Sequence, residues 1–333
     1  MDELSAIQRL RTARVGVVGD LVADLYVSGL SDRVSREAPV LIVRYEDEWL
    51  RPGGAANVAA NVAALGATAC VVGLIGDDDA GRQLVRTLGE TTGLGAVDCQ
   101  HLVTTLGRAT ITKTRFLAGA KLTSRQQVLR VDREPAARPA GSLHARLAEA
   151  VRQVDLTVDA WIVSDYGYGG VDENLRELLR DIARRKPVVA DSRYELHLFG
   201  GMTVLKPNEE EAEAAARTIG LACADEAELA SRLEKYLQVN AVLVTLGNKG
   251  MVLSSQGRLI RIPAVGTEEI VDLTGAGDSV AATMATALAG GADLQTAARL
   301  ANHAGAVVVM KEGAATASPE ELSLSVQKDR VRG

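Results

Sequence analysis

Short apolar runs that end in a small polar or acidic residue recur along the chain: Arg14–Asp20 (RVGVVGD), Ala160–Ser164 (AWIVS), Pro187–Asp191 (PVVAD) and Ala241–Thr245 (AVLVT). Runs with no polar alternation predict strands buried on both faces, as in a parallel sheet. Helix-period segments lie between them at Gly81–Gly89, Leu143–Val154, Asn174–Arg185 and Glu226–Leu237. Strand and helix in alternation predict an α/β sheet covered on both faces, with ligands beyond the strand C-termini. The uncharged stretch Gly53–Gly76 contains Asn57, Asn61, Thr68 and a Gly66-Ala67 break. It predicts a buried helix followed by a buried strand, since a membrane span needs about 20 uninterrupted apolar residues. Two stretches, Leu25–Tyr45 and Leu102–Val131, instead alternate apolar and polar positions. They predict half-exposed antiparallel strands forming a small separate sheet or lid. The organisation expected is one domain over residues 1–333, with lid strands inserted at about 25–46 and 102–131.

Composition narrows the class. The 333 residues are 47% hydrophobic and 24% charged, which supports a full core and excludes wholesale disorder. Aromatics are only 3%, so a stacking platform for single-stranded nucleic acid is not expected. Lys and Arg number 37 against 43 Asp and Glu, a formal charge of −6, the opposite of a protein that lives on polyphosphate backbones. Cys70, Cys99 and Cys223 are scattered, and His101, His144, His197 and His303 show no metal-ligand spacing. Three reduced thiols in a soluble, cytoplasmic protein are expected, with neither membrane nor nucleic acid as partner. The N-terminus has no basic-then-apolar leader.

The sharpest chemical signal is Asp272-Leu-Thr-Gly-Ala-Gly-Asp278 before the uncharged run Ser279–Ala289. Gly275, Ala276 and Gly277 allow a tight turn whose N–H groups converge at a helix N-terminus, an anion site. Asp278 beside such a site suits a base that takes the proton of an attacking hydroxyl in phosphoryl transfer. The same segment also reads as a glycine-rich turn whose Asp favours the helix dipole. Arg51-Pro-Gly53-Gly54-Ala-Ala-Asn57 opens the uncharged helix, with glycines for close approach and Asn57 for sugar hydroxyls; small residues packed on a sheet would look alike. In Lys206-Pro-Asn208-Glu-Glu-Glu211, Asn208 and Glu211 have the spacing of a helix capping box, and equally of a pair that orders a magnesium ion. Thr245-Leu-Gly247-Asn-Lys-Gly250 ends a strand and either cradles nucleotide phosphates or simply turns the chain. From Arg108 to Glu134 there are seven basic residues against two acids, a basic lid that suits an anionic substrate such as a sugar phosphate, though individually most of them read as well as snorkelling side chains on a solvated hairpin.

In this order the motifs resemble the ribokinase-like, phosphofructokinase-B type sugar kinases, over about Val15 to Glu321. Within that family the text is most similar to the kinase half of the bifunctional heptose-7-phosphate kinase/heptose-1-phosphate adenylyltransferases. Gly19-Asp20 with Asp24 and Tyr26, Glu37-Ala-Pro39-Val40, Arg51–Asn57, Ser124-Arg125-Gln126-Gln127, Ser164-Asp165-Tyr166-Gly167 and Ala301-Asn302 carry that likeness.

The resemblance implies a ribokinase-like three-layer α/β fold with a mostly parallel central sheet and a small β-sheet lid. It implies Asp278 as base and the backbone of Gly275, Ala276 and Gly277 as anion hole. Asn208 and Glu211 would organise Mg²⁺, Thr245, Gly247 and Gly250 would line the ATP phosphates, and Asn302 would lie near the adenine. Asp24, Gly53, Gly54 and Asn57 would hold sugar hydroxyls, with Asp20, Arg125 and Asp165 also at the substrate. The lid would close over the substrate and pair two subunits as a homodimer. The expected reaction is ATP-dependent phosphorylation of a sugar or sugar phosphate, foremost heptose 7-phosphate at its anomeric hydroxyl. Another sugar, or a non-catalytic sensor on the same fold, are the alternatives. Tyr168 and Arg193 stand where the heptose kinases usually carry lysines, Leu273 where they carry a smaller or β-branched residue, and no adenylyltransferase segment is expected.

Overall fold

The computed structural model describes residues 1–90, 95–121, 123–266 and 271–332. The chain opens with α1 (Glu3–Leu10) and β1 (Arg14–Gly19), then runs into two long strands, β2 (Leu21–Val34) and β3 (Leu41–Gly54). Next come α2 (Ala55–Ala64), β4 (Thr68–Gly76) and α3 (Asp79–Gly89), then the short strands β5 (Ala96–Asp98) and β6 (Val103–Thr105). The strands β7 (Ile111–Gly119) and β8 (Gln126–Arg133) precede α4 (Gly141–Asp155), β9 (Ala160–Asp165), α5 (Glu173–Ala183) and β10 (Val188–Ser192). They are followed by β11 (Val204–Leu205), α6 (Glu209–Thr218), α7 (Glu226–Leu237), β12 (Ala241–Thr245) and a hairpin of β13 (Met251–Ser255) and β14 (Arg258–Ile262). Three helices close the fold: α8 (Ala276–Ala289), α9 (Leu294–Val308) and α10 (Pro319–Arg332).

The central sheet has the order β14-β13-β12-β11-β10-β9-β1-β4-β5, with β6 also paired to β4. Its pairs are parallel except for the hairpin at one edge. Alternate residues of each strand enter opposite layers. Val17, Val71, Ile162 and Leu243 pack with α1, α2, α8 and α9, whereas Val18, Val72, Val163 and Val244 pack with α4, α5, α6 and α7. The three-layer α/β architecture is therefore as expected, and both faces of the strands are apolar because both are covered. At Gly16 the layer is set by a close approach: a Cβ there would lie 2.5 Å from the Trp161 ring, which is wholly buried.

The lid is a four-stranded sheet in the order β3-β2-β7-β8. It differs from expectation in extent and in pairing. It begins at Leu21 and ends at Gly54 and Arg133, while residues 103–105 belong to the central sheet. The boundary was hidden because Leu21, Val22, Ala23 and Asp24 are all buried, so the alternation that marks a half-exposed strand starts only after them. The central lid pair, β2 with β7, is parallel rather than antiparallel, because both strands leave the C-terminal edge of the central sheet in one direction. The outer pairs are antiparallel. No helix is long and apolar enough to cross a membrane among the described residues.

Replacing Gly16 by Ala should force the Trp161 ring out of place and lower stability by roughly 1–3 kcal/mol, the usual cost of overpacking. The urea midpoint should fall accordingly; an unchanged midpoint would show that the layer tolerates the added carbon.

Candidate active site

The C-terminal ends of β1, β9, β10, β11 and β12 share one edge of the sheet, and the first turn of α8 carries the glycine-rich segment. Asp272 shapes the approach: its Oδ1 accepts the Thr274 amide at 2.8 Å and its Oδ2 the Gly313 amide at 2.9 Å. Gly275 then takes φ 78° and ψ 2°, the left-handed region that glycine enters at little cost. A Cβ there would also come 2.8 Å from Nδ2 of Asn57. Asp or Asn side chains cap α1, α3, α5, α6, α7 and α9, whereas no side chain caps α2, α4 or α8. The Ala276 amide donates to the Leu273 carbonyl at 3.3 Å, and the first-turn amides that follow it face outward with the helix dipole behind them, where an anion can be met.

Asp278, on that first turn, is only 6% exposed. Nδ2 of Asn57 donates to its Oδ2 at 2.7 Å, and the Tyr166 hydroxyl donates to its Oδ1 at 3.0 Å. Burial pushes the carboxyl above the ordinary aspartate pKa, while Asn57, Tyr166 and the Lys206 ammonium pull it back. The Asn57 amide is itself aimed. Nδ2 of Asn61 donates to its Oδ1 at 3.3 Å, and Oγ of Ser279 donates to Oδ1 of Asn61 at 2.6 Å. The neighbouring Asp278 charge and burial hold the Tyr166 phenol well above its usual pKa, so it keeps its proton and acts as donor.

Asp20 and Asp165, expected at the substrate, are 4% and 3% exposed and face the loop after β9. Oδ2 of Asp20 accepts the amides of Tyr166 at 2.9 Å and Tyr168 at 3.1 Å, and its Oδ1 accepts Gly170 at 3.0 Å. Burial and the Asp165 charge raise Asp20 to about 6 despite those amides. Asp165 accepts the Gly167 amide at 3.1 Å and the Ser192 hydroxyl at 2.6 Å. Both carboxylates therefore hold the segment that delivers Tyr166. Asp24 lies where the lid leaves the core, bound to Arg115 at 2.8 Å and packed against Gly53, whose Cβ would stand 2.5 Å from its Oδ2. Gly54, at φ 55°, lets the chain turn from β3 into α2 so that the Ala55 amide meets the Asp20 carbonyl at 3.0 Å.

Asn208 and Thr245 form a bridge between neighbouring chain segments, which brings their two motifs together. Asn208 and Glu211 complete the capping box: Oδ1 of Asn208 accepts the Glu211 amide at 2.8 Å, and Oε2 of Glu211 accepts the Asn208 amide at 2.9 Å. Gly247 has φ 58° and would place a Cβ in open space, whereas at Gly250 a Cβ would strike the Ile262 carbonyl. Gly250 thus shapes the hairpin. Nδ2 of Asn302 donates to the Pro263 carbonyl at 2.8 Å, tying α9 to the chain after β14. Arg125 pairs with Glu46 at 2.7 Å within the lid. Among the described residues no group of three or more His, Cys, Asp or Glu side chains is placed to hold a metal.

Three residues escaped sequence reasoning as site members: Tyr166, Asp191 and Lys206. Nζ of Lys206 meets Oδ2 of Asp191 at 3.0 Å, with Lys206 only 3% exposed. Burial raises Asp191 to about 7 against the pull of Lys206, with Glu211 and Asp278 adding to the rise. The available signal was a lysine at the end of an apolar strand, Val204-Leu205-Lys206.

The chain belongs to the pfkB family of carbohydrate kinases, whose family model matches residues 12–321. It is 39% identical over 334 residues to the bifunctional protein HldE of Pseudomonas aeruginosa (strain LESB58), covering 98% of this chain and 66% of that protein. The HldE of Caulobacter sp. (strain K31) is 40% identical over 316 residues, covering 93% of this chain and 62% of that protein. The chain thus spans about two thirds, or slightly less, of these relatives. In fold it is similar to Arabidopsis thaliana ribokinase complexed with ribose and ATP, at TM-score 0.70 and 20% identity over 95% of this chain and 99% of that one. It is also similar to Escherichia coli phosphofructokinase-2 in complex with fructose-6-phosphate, at TM-score 0.70 and 18% identity over 95% and 98%. It is an ATP-dependent carbohydrate kinase of this type.

Tyr166→Phe removes a donor to the ionised form of Asp278, whose pKa burial already raises. A base at Asp278 would work only when ionised, so activity would be lost as pH falls through its pKa. In the variant that acidic limb of kcat/KM should move to higher pH; an unmoved limb would show that Tyr166 does not support the charge.

Proposed function

We propose that the chain transfers the γ-phosphoryl group of ATP to a hydroxyl of a phosphorylated sugar, foremost the anomeric hydroxyl of D-glycero-D-manno-heptose 7-phosphate. The observation that carries the kinase mechanism is Asp278, buried on the N-terminal turn of α8 with each oxygen held by one hydrogen bond, from Asn57 and from Tyr166. Asp278 accepts the proton as the acceptor oxygen bonds to phosphorus and the bond to ADP breaks. The amides of Gly275, Ala276 and Gly277 meet the charge on the transferring group, and lid closure excludes water. Asn208 and Glu211 would hold Mg²⁺ through its water shell, since the capping box engages only Oε2 of Glu211 among the described residues. Magnesium, when bound, supplies positive charge to the nucleotide phosphates, and it suits a site with few protein ligands. Thr245 and Gly247 would line those phosphates, and Asn302 the adenine end. Asp24, Gly53 and Gly54 would bound the sugar, with Asn57 fixed on the base.

The phosphorylated acceptor is supported by Lys113. Of the expected lid cations, Arg115, Arg125 and Arg130 pair with Asp24, Glu46 and Asp132. Arg108, Lys113, Lys121 and Arg133 have no ion pair among the described residues, and the Lys113 ammonium lies 5.6 Å from the Tyr166 ring centroid and 6.0 Å from that of Tyr168. Asp24 and Asp132 lie near enough to pull its pKa up against burial, but they pair with Arg115 and Arg130, and an ammonium so placed beside Tyr166 suits a substrate phosphate. The choice of heptose rests on the motif resemblance. The lid supports a homodimer, because Val34, Leu41, Tyr45, Leu129 and Val131 are more or less half-exposed on it. A cytoplasmic site of action fits the reduced thiols of Cys70, Cys99 and Cys223.

ADP release from Mg·ATP should be measured with heptose 7-phosphate, heptose, fructose and its phosphates, ribose and nucleosides, with Asp278→Asn as control. Turnover with heptose 7-phosphate that the control abolishes is expected. Preference for another sugar would keep the mechanism and overturn the substrate. Lys113→Met should raise KM for the sugar phosphate about tenfold, the loss of one charge-assisted bond of about 1.5 kcal/mol; an unchanged KM would remove Lys113 from phosphate recognition. Mass in solution should be twice the 35.1 kDa of the chain. A strict monomer would refute pairing through the lid.

A further inference from the structure

We propose that Tyr168 is a specificity-determining residue that sets the charge of the acceptor site. Its ring seats the Lys113 ammonium and its hydroxyl ties down Glu134, so an anionic acceptor meets a cation and no free carboxylate. The inference rests on the phosphorylated-sugar reading above and deepens it.

The backbone fixes where Tyr168 stands. It lies between Gly167 and Gly169, which take φ 81° and 82°, the left-handed region. Its amide donates to Oδ2 of buried Asp20 at 3.1 Å, and Nε2 of His144 donates to the Gly169 carbonyl at 2.8 Å. The turn is therefore anchored without help from the phenol. The Lys113 ammonium, from β7, lies 6.0 Å from the Tyr168 ring centroid and 5.6 Å from that of Tyr166. Since the Tyr166 hydroxyl donates to Asp278, the two rings hold Lys113 on the lid side of the reaction centre. An aromatic face attracts a cation without neutralising it. A carboxylate in the same place would cancel the charge that a phosphate needs.

Three carboxylates stand around Lys113 and Tyr168, and each is engaged elsewhere. Asp24 pairs with Arg115 at 2.8 Å, and Asp132 with Arg130 at 2.9 Å. Glu134, just past β8, has no ion pair among the described residues; the Tyr168 hydroxyl donates to its Oε1 at 3.1 Å. Burial and the Glu134 charge hold that phenol above its ordinary pKa, so it remains a donor. A purely structural latch would account for the hydroxyl but not for the ring on Lys113, and the loop is already held by Asp20. Once released, Glu134 could turn to Lys113 or repel a phosphate bound there. Either event weakens a phosphorylated acceptor and leaves the nucleotide untouched.

KM for the sugar phosphate, with heptose 7-phosphate foremost, KM for Mg·ATP and kcat should be measured in Tyr168→Phe, Glu134→Gln and the double variant. Tyr168→Phe keeps the ring and frees Glu134. It should raise KM for the sugar phosphate about fivefold, a strong effect for a partly exposed charge. Its kcat and its KM for Mg·ATP should stay within about twofold of the wild type. Glu134→Gln alone should leave all three within about twofold. Added to Tyr168→Phe, it should bring KM for the sugar phosphate back, since no charge is left to restrain. Tyr168→Leu also removes the ring, so KM should rise about tenfold and Glu134→Gln should recover only part of it. An unchanged KM in Tyr168→Phe, an equal rise for sugar phosphate and nucleotide, or no recovery in the double variant overturns the proposal and leaves the kinase reading standing. A wild-type protein that phosphorylates only uncharged sugars, or none, overturns the phosphorylated-acceptor reading and this inference with it.

Discussion

Burying the Asp278 carboxylate places two demands on the surrounding chain: the group must stay ionised, and it must keep one direction. Asn57 and Tyr166 meet both with one hydrogen bond to each oxygen. They come from opposite sides of the site, Asn57 from α2 and Tyr166 from the loop after β9. Each is held by a further buried group. Asn57 is oriented through Asn61 and Ser279, the latter on α8 itself, so the chain of hydrogen bonds returns to the helix that carries Asp278. Tyr166 is delivered by a loop whose amides close on Asp20. Three acids that look alike in the sequence, Asp20, Asp165 and Asp278, thus differ in role, because only Asp278 lies on the uncapped turn of α8.

The same constraint explains why lid and core form one continuous piece of chain. The strand β1 ends at Gly19, Asp20 turns inward to the loop, and β2 starts at Leu21 as the first lid strand. The lid returns through β3 to Gly54, whose amide-bearing neighbour Ala55 meets the Asp20 carbonyl. Asp20 therefore joins the lid hinge, the start of α2 and the Tyr166 loop at one residue. The lid, the start of α2 and the loop that carries Tyr166 thus share Asp20 as a common anchor.

Much of this was legible in the sequence. Apolar runs marked β1, β9, β10 and β12 to within a residue or so, since strands buried on both faces leave an unbroken signal. The helix over Glu226–Leu237 was bounded by the same residues in both readings. Lid boundaries were less legible, because the first residues of β2 are buried on both faces and imitate a core strand. In the site, the glycine-rich turn and Asp278 were readable because backbone geometry restricts which residues can stand there. The partners of Asp278 were not. Tyr166 and Lys206 reach the site through tertiary contacts with residues far along the chain, and no local spacing encodes such a meeting. Capping is the instructive case: Asn208 and Glu211 do form the box that their spacing allows, and that local role coexists with a position beside the Thr245 motif.

The central claim is that Asp278 acts in the chemical step and not in holding substrates. Single-turnover phosphoryl transfer, started in a preformed complex of protein, Mg·ATP and sugar phosphate, separates the two. Asp278→Asn should bind both substrates as the wild type does, while the transfer step slows by about 10²–10⁴, the usual contribution of a positioned base. Transfer at the wild-type rate, or a loss traced wholly to weaker binding, would contradict the account.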